Sequence, residues 1–241
     1  DSALVLFLSH TFLGEKGIGV IADSPSLKRR DLNLAKDFCK QFDITLRIIE
    51  TGELENPNYA SNPDNRCFFC KDTLYRKMES IHGEYPGYYM LNGTNQDDHG
   101  DYRPGLQAAN NHGIHSPLSD CGITKQDVRL LARHFELPVW DKPASPCLSS
   151  RIPYGNEVTA EKLRQIEAAE TFLNQLGFDE VRVRHFGREA RIEVPAGALE
   201  TLTPFKPQIQ KALNELGFET ATIDSEGFVS GKLNRAILPH G

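Results

Sequence analysis

Between residues 17 and 49 the apolar spacing of the chain changes twice, and this narrows the fold more than any other feature. Residues 17–22 (Gly-Ile-Gly-Val-Ile-Ala) form a short apolar run ending at Asp23-Ser24-Pro25, the pattern of a buried strand that opens into a loop. Residues 26–42 then carry Leu27, Leu32, Leu34, Ala35, Phe38 and Phe42 among charges at helical spacing, and residues 44–49 are apolar again. Strand, helix and strand in a unit of about 30 residues predict a parallel sheet covered by helices, an α/β fold.

The same reading continues along the chain. Residues 3–12 are predicted as a helix with Asp1 or Ser2 as N-cap. Residues 51–66 are polar and rich in Asn and Pro, and read as an irregular loop. A helix over 67–81 follows, opened by Cys67 and Cys70, then short strands at 88–91 and 114–118 and a helix over 124–135 capped by Thr124. Residues 143–155 (Pro-Ala-Ser-Pro-Cys-Leu-Ser-Ser-Arg-Ile-Pro-Tyr-Gly) have neither period. Prolines fix their backbone, so they read as a rigid loop that presents Cys147 beside hydroxyls and a cation, or as a linker with an incidental thiol. Beyond it come a helix over 159–176, a strand at 181–184 with a hairpin partner at 190–194, a helix over 205–216 and a strand at 219–223. Phe172–Phe178 is echoed by Ala212–Phe218, each a helix end closed by a glycine before a strand. This is an α+β pattern, so the expected domains are 1–150 and 151–241, with a boundary near 150–156.

Bulk properties exclude several function classes. A chain of 241 residues that is 39% hydrophobic and 25% charged has enough apolar material for one or two packed cores. Its net charge of −6 gives no general footprint for nucleic acid or an anionic membrane. No apolar run approaches the roughly 20 residues of a membrane span, and no signal peptide is read. Five cysteines, an odd number, predict a reducing cytoplasm and a metal or redox role rather than a disulfide framework. A first residue other than methionine predicts that residues upstream of Asp1 have been removed.

Candidate chemistry gathers in three settings. Asp23-Ser24, Gly93-Thr94-Asn95-Gln96-Asp97-Asp98 and Ser116-Pro117 follow predicted parallel strands, where open α/β sheets bind ligands; a nucleotide is the favoured occupant and turns are the alternative. Cys67 and Cys70 at a helix N-terminus suit redox or zinc chemistry, or, with Cys147, an iron–sulfur cluster. Cys39 falls on an amphipathic helix and reads as core, while Cys121 reads as a turn residue. Arg182 and Arg184 share one face of a strand, either gripping an anion or lying solvated beside Glu180, Glu189 or Glu193.

Three motifs together resemble one family. They are Asn92–Asp98 with Asp101-Tyr102-Arg103-Pro104-Gly105, then Ala144–Gly155, then Val181-Arg182-Val183-Arg184. The chain resembles LarE, an ATP-dependent sulfur transferase of the PP-loop ATP pyrophosphatase superfamily that serves nickel-pincer cofactor synthesis for lactate racemase. The resemblance implies a Rossmann-like domain followed by a small α+β domain for substrate binding and oligomerisation. Asp1-Ser2 would end the family's Ser-Gly-Gly-x-Asp-Ser phosphate loop, with the preceding strand and glycines upstream. ATP would be bound by Asp1, Ser2, Ala22, Ser24, Gly93, Asn95 and Asp98, with Mg²⁺. The implied substrate is a pyridinium mononucleotide, held by Ser150, Arg151, Glu170, Arg182, Arg184 and Glu193. Cys67, Cys70 and Cys147 would ligate a 4Fe–4S cluster fed by sulfide or another sulfur donor, or Cys147 would surrender its own sulfur. A homo-oligomer is also implied. A further family acid falls near Thr201, which is not one. A tRNA thiolase of the same superfamily is the competing expectation.

Overall fold

The computed structural model describes residues 1–100, 103–229 and 232. They form two compact units: Asp1–Tyr59 with Asn65–Ser145, and Ala60–Asp64 with the chain from Pro146 on. Asp101 and Tyr102 of the loop motif lie outside the described residues.

The first unit is α/β. Helix α1 (Ser2–Leu13) precedes β1 (Gly19–Asp23), α2 (Arg29–Gln41) and β2 (Leu46–Glu50). The two strands pair in parallel from Gly19 opposite Leu46 to Asp23 opposite Glu50, as the apolar switch between 17 and 49 predicts. Then come α3 (Pro57–Ala60), α4 (Arg66–His82), α5 (Pro104–Asn111), α6 (Pro117–Asp120) and α7 (Lys125–His134). The core joins Leu4 and Val5 of α1 to Phe38 and Cys39 of α2 and to Val128 and Ala132 of α7, so Cys39 is a packing residue. Thr124 caps α7 through a reciprocal capping box with Asp127.

Three local expectations are corrected. Residues 88–91 and 114–118 do not form extended strands; they meet at one parallel bridge, Leu91 to His115. Pro117 has no N–H for a ladder and instead starts α6, which ends the pairing. Helix α2 begins at Arg29 rather than Ser26, because Leu27 N–H closes a turn on the Ser24 carbonyl. The loop over 51–66 contains a 3₁₀ turn at Glu53–Glu55 and the one-turn α3.

The second unit packs α8 (Ala160–Gln175) and α10 (Lys206–Glu215) against a three-stranded sheet of β3 (Arg182–Phe186), β4 (Glu189–Glu193) and β5 (Thr220–Ile223), with the short α9 (Leu199–Leu202) between. Strand order is β3-β4-β5, the first pair antiparallel and the second parallel. Val183, Ala190 and Ile192 point into the core with Leu173, Leu202 and Leu213. The two-residue period therefore places Arg182, Arg184, Arg191 and Glu193 on the other face. The repeated helix ending is a repeated Schellman motif. Phe178 N–H reaches the Leu173 carbonyl and Phe218 N–H that of Leu213, while Gly177 and Gly217 take φ of 95° and 97°. Both phenylalanines are buried in the core.

Asn62 organises the Pro153–Asn156 turn inside this unit. Fully buried at φ 55°, it donates Nδ2 to the carbonyls of Pro153 (2.7 Å) and Asn156 (3.0 Å), and its own carbonyl accepts from Gly155 N–H at 2.9 Å.

Candidate active site

In the first unit, the loop after the Leu91 bridge gathers on the start of α1. Asn95 Nδ2 donates to Asp1 Oδ2 at 3.0 Å, and Lys125 Nζ is ion-paired with Asp1 Oδ1. Asp98 accepts from Asn95 N–H at 3.0 Å and pairs with Arg103 at 2.8 Å. Asp97 accepts from the backbone N–H of Lys125 at 2.9 Å, fixing the first turn of α7 beside Asp1. Burial pulls the Lys125 ammonium below its ordinary range, and the nearby Arg129 charge acts in the same direction. The structure thus brings Asp1, Ser2, Gly93, Asn95 and Asp98 together with Arg103 of the loop motif, and adds Lys125, which the sequence reading did not single out. The signal for Lys125 was its place directly after the α7 cap, at the end of the loop that follows His115.

Gly93 is tied to Ser2 by steric need. A Cβ at 93 would strike the Ser2 backbone nitrogen and come within 2.6 Å of its Oγ. Gly93→Ala is therefore expected to cost about 1–3 kcal/mol of overpacking, read as a lower melting temperature.

Ala22 and Ser24 stand at the C-terminal end of β1 with other partners. Ser24 Oγ lies 3.0 Å from Ser26 Oγ, which donates to the buried Glu53. Cys67 and Cys70 occupy the first turn of α4, one turn apart and hence on one side of the helix. An open groove of about 790 Å³ runs beside α4, lined by Asn56, Asn58, Phe69, Thr73 and Lys77, apart from the Asp1 loop.

In the second unit, hydrogen bonds join Ser150, Arg151, Glu170, Arg184 and Glu193, with the Cys147 carbonyl at 3.4 Å from Arg151 Nη1 and Arg182 beside them on the same strand as Arg184. Arg151, 1% exposed, grips Glu170 with Nε (2.7 Å) and Nη2 (3.2 Å), while its Nη1 donates to Ser150 Oγ (2.8 Å) and the Pro146 carbonyl (3.0 Å). Glu170 Oε1 also accepts from Val183 N–H at 3.1 Å, pinning β3 to α8. Arg184 donates through Nε (2.9 Å) and Nη2 (2.7 Å) to Glu193 Oε2, and through Nη1 to the Ser150 carbonyl at 2.7 Å. Both strand arginines are buried, so the face is not solvated, while the pairing with Glu193 that this alternative named does form at Arg184. Arg182 faces Glu193 in register, yet its guanidinium stacks on Phe228 at 4.0 Å while Arg184 takes that carboxylate. Burial, reinforced by Arg151 and Arg184, lowers the Arg182 pKa to about 10. Lys232 also approaches Glu193 Oε1 at 3.8 Å and pairs with Asp224 and Glu226, so Arg182, whose guanidinium faces Phe228 rather than a carboxylate, is the cation best placed for an anion.

All five cysteines are thiols rather than disulfides. Among the described residues, no three or more His, Cys, Asp or Glu side chains gather in a way that could hold a metal ion. No described helix is long and apolar enough to cross a membrane.

No protein-family model matches the chain. It is 41% identical over 239 residues to an uncharacterised protein of Synechocystis, spanning 98% of this chain and 89% of that one. It is 32% identical over 238 residues to the pyridinium-3,5-bisthiocarboxylic acid mononucleotide synthase of Lactiplantibacillus plantarum, spanning 98% and 86%. The B subunit of glutamine-hydrolysing GMP synthase from Saccharolobus solfataricus is 24% identical over 190 residues, 70% of this chain and 50% of that one. The match to the synthase, sustained over nearly the whole of both chains, makes this protein a member of the LarE family.

Proposed function

We propose that the protein is an ATP-dependent sulfur transferase that converts a carboxylate of a nicotinate-derived pyridinium mononucleotide into a thiocarboxylate for nickel-pincer cofactor synthesis. The observation that carries this reading is the buried cluster of Arg151, Arg182 and Arg184 beside the Cys147 loop, with Arg182 on Phe228 rather than on a carboxylate, in a chain of this family. The similarity to a GMP synthase subunit supports a PP-loop, Rossmann-like fold for the first domain, residues 1–150. The second unit, which includes Ser150, then binds the organic substrate.

In the activation step a substrate carboxylate oxygen attacks the α-phosphorus of ATP, the bond to the β-phosphate oxygen breaks and pyrophosphate leaves. A sulfur nucleophile next adds to the acyl carbon and the bond to AMP breaks, giving the thiocarboxylate. Asp1, Ser2, Ala22, Ser24, Gly93, Asn95 and Asp98 line the ATP side. The carboxylates of Asp1 and Asp98 are the oxygen ligands this loop would offer a magnesium nucleotide. Mg²⁺ supplies neutralisation of the pyrophosphate charge. Arg182 and Arg184 bind the substrate phosphate, and Ser150 with Arg151 orients the carboxylate to be activated. Glu170 and Glu193 hold those guanidiniums in place.

Cys67, Cys70 and Cys147 are the proposed holders of a 4Fe–4S cluster. As donors the three thiols suit a cluster, while among the described residues no three such side chains gather to hold a metal. A bound cluster supplies a site for an extra sulfide. Protein reconstituted without oxygen is expected to hold about four irons per chain, measured with acid-labile sulfide and the ultraviolet–visible spectrum. Colourless, iron-free protein that turns over repeatedly would contradict the cluster, and one turnover with loss of the Cys147 sulfur would make that residue the donor. Pyrophosphate release from ATP, dependent on the pyridinium mononucleotide, tests the activation step. A cytoplasmic homo-oligomer completes the proposal, with light scattering as its check.

A further inference from the structure

We propose that Ser24, Ser26 and Glu53 form a one-way hydrogen-bond relay that leaves Ser24 an acceptor and selects the 6-amino group of adenine. The inference rests on the nucleotide half of the proposed function and names how that half is made specific. Glu53 is 1% exposed, and its two carboxylate oxygens accept from Ser26 Oγ at 2.8 Å and Thr51 Oγ1 at 2.5 Å. Ser24, Ser26 and Thr51 are buried as well.

A hydroxyl has one proton and a carboxylate only accepts. The Ser26 proton points to Glu53, so across the 3.0 Å Ser24–Ser26 contact Ser24 must be the donor. What the Ser24 oxygen offers beyond this chain of bonds is lone pairs. Ser24 directly follows Asp23, the last residue of β1, at the sheet edge where ligands of parallel α/β sheets bind.

An acceptor at that position disfavours phosphate and carbonyl oxygens. Ribose hydroxyls turn to suit either polarity, so the relay does not discriminate among them. The adenine amino group only donates, whereas the 6-oxo group of hypoxanthine only accepts. Glu53 and Ser26 are thus positioning residues for base choice, acting through Ser24, and Thr51 satisfies the second carboxylate oxygen.

Isothermal titration calorimetry of the intact protein with Mg·ATP and Mg·ITP tests this. The wild type is expected to prefer ATP by about 100-fold, and Ser26→Ala to reduce that preference to about fivefold or less, mainly by tightening ITP. Ser24→Ala should also reduce it, but by weakening ATP, and circular dichroism checks that both variants are folded. A Ser26→Ala protein that keeps the wild-type ATP-to-ITP ratio would overturn the relay, as would wild-type discrimination against 2′-deoxy-ATP instead of ITP. A wild type that binds neither nucleotide would defeat the nucleotide reading itself, a result distinct from either.

Discussion

Glu170→Ala is expected to destabilise the protein by about 3–5 kcal/mol, because it strands the buried Arg151 guanidinium without its carboxylate. The side chains are 2% and 5% exposed, so water replaces little of the lost pairing. The same change removes the acceptor for Val183 N–H, loosening the start of β3 where Arg182 and Arg184 are displayed. Thermal melting should show a midpoint lower by more than about 10 °C for a unit of this size. A paired replacement, Arg151→Met with Glu170→Leu, should recover much of the stability, since neither charge is then left buried. It should not recover substrate binding, which separates the structural part of the pair from its proposed part in catalysis.

The second large effect is expected at Cys147. Cys147→Ala should abolish thiocarboxylate formation while leaving ATP binding and pyrophosphate release measurable, because in the proposed reaction the thiol takes part after the acyl-adenylate forms. Its backbone is held by what surrounds it: Arg151 bonds the neighbouring Pro146 carbonyl, and Ser150 N–H bonds the Cys147 carbonyl at 3.0 Å. Loss of Sγ should therefore leave the loop in place. Rapid-quench analysis of pyrophosphate and product in the same samples checks the split. Equal loss of both would place Cys147 in the activation step instead.

Local signals in the sequence read through well. The alternation at Val181–Arg184 gives β3 and its two faces, Thr124 gives the start of α7, and Gly177 and Gly217 give two Schellman endings. These features depend on side chains within a few residues of one another. What stayed hidden depends on partners distant in sequence. Arg151 finds Glu170 and Arg184 finds Glu193 by packing, so periodicity could place Arg182 and Arg184 on one face without showing that the face is buried. Asn62 lies in a stretch that reads only as polar loop, yet it clasps carbonyls some ninety positions later. Ser26 opens the stretch that reads as helix, but Glu53 engages its hydroxyl and the helix starts at Arg29. The expected strand at 88–91 failed because its partner segment runs into Pro117.

The most direct measurement is mass spectrometry of the small-molecule products after anaerobic incubation of the protein with Mg·ATP, sulfide and the pyridinium biscarboxylate mononucleotide. The account predicts that one carboxylate oxygen is replaced by sulfur, with AMP and pyrophosphate formed in equal amounts. Unchanged mononucleotide with no AMP, from protein shown to be folded and iron-loaded, would contradict it.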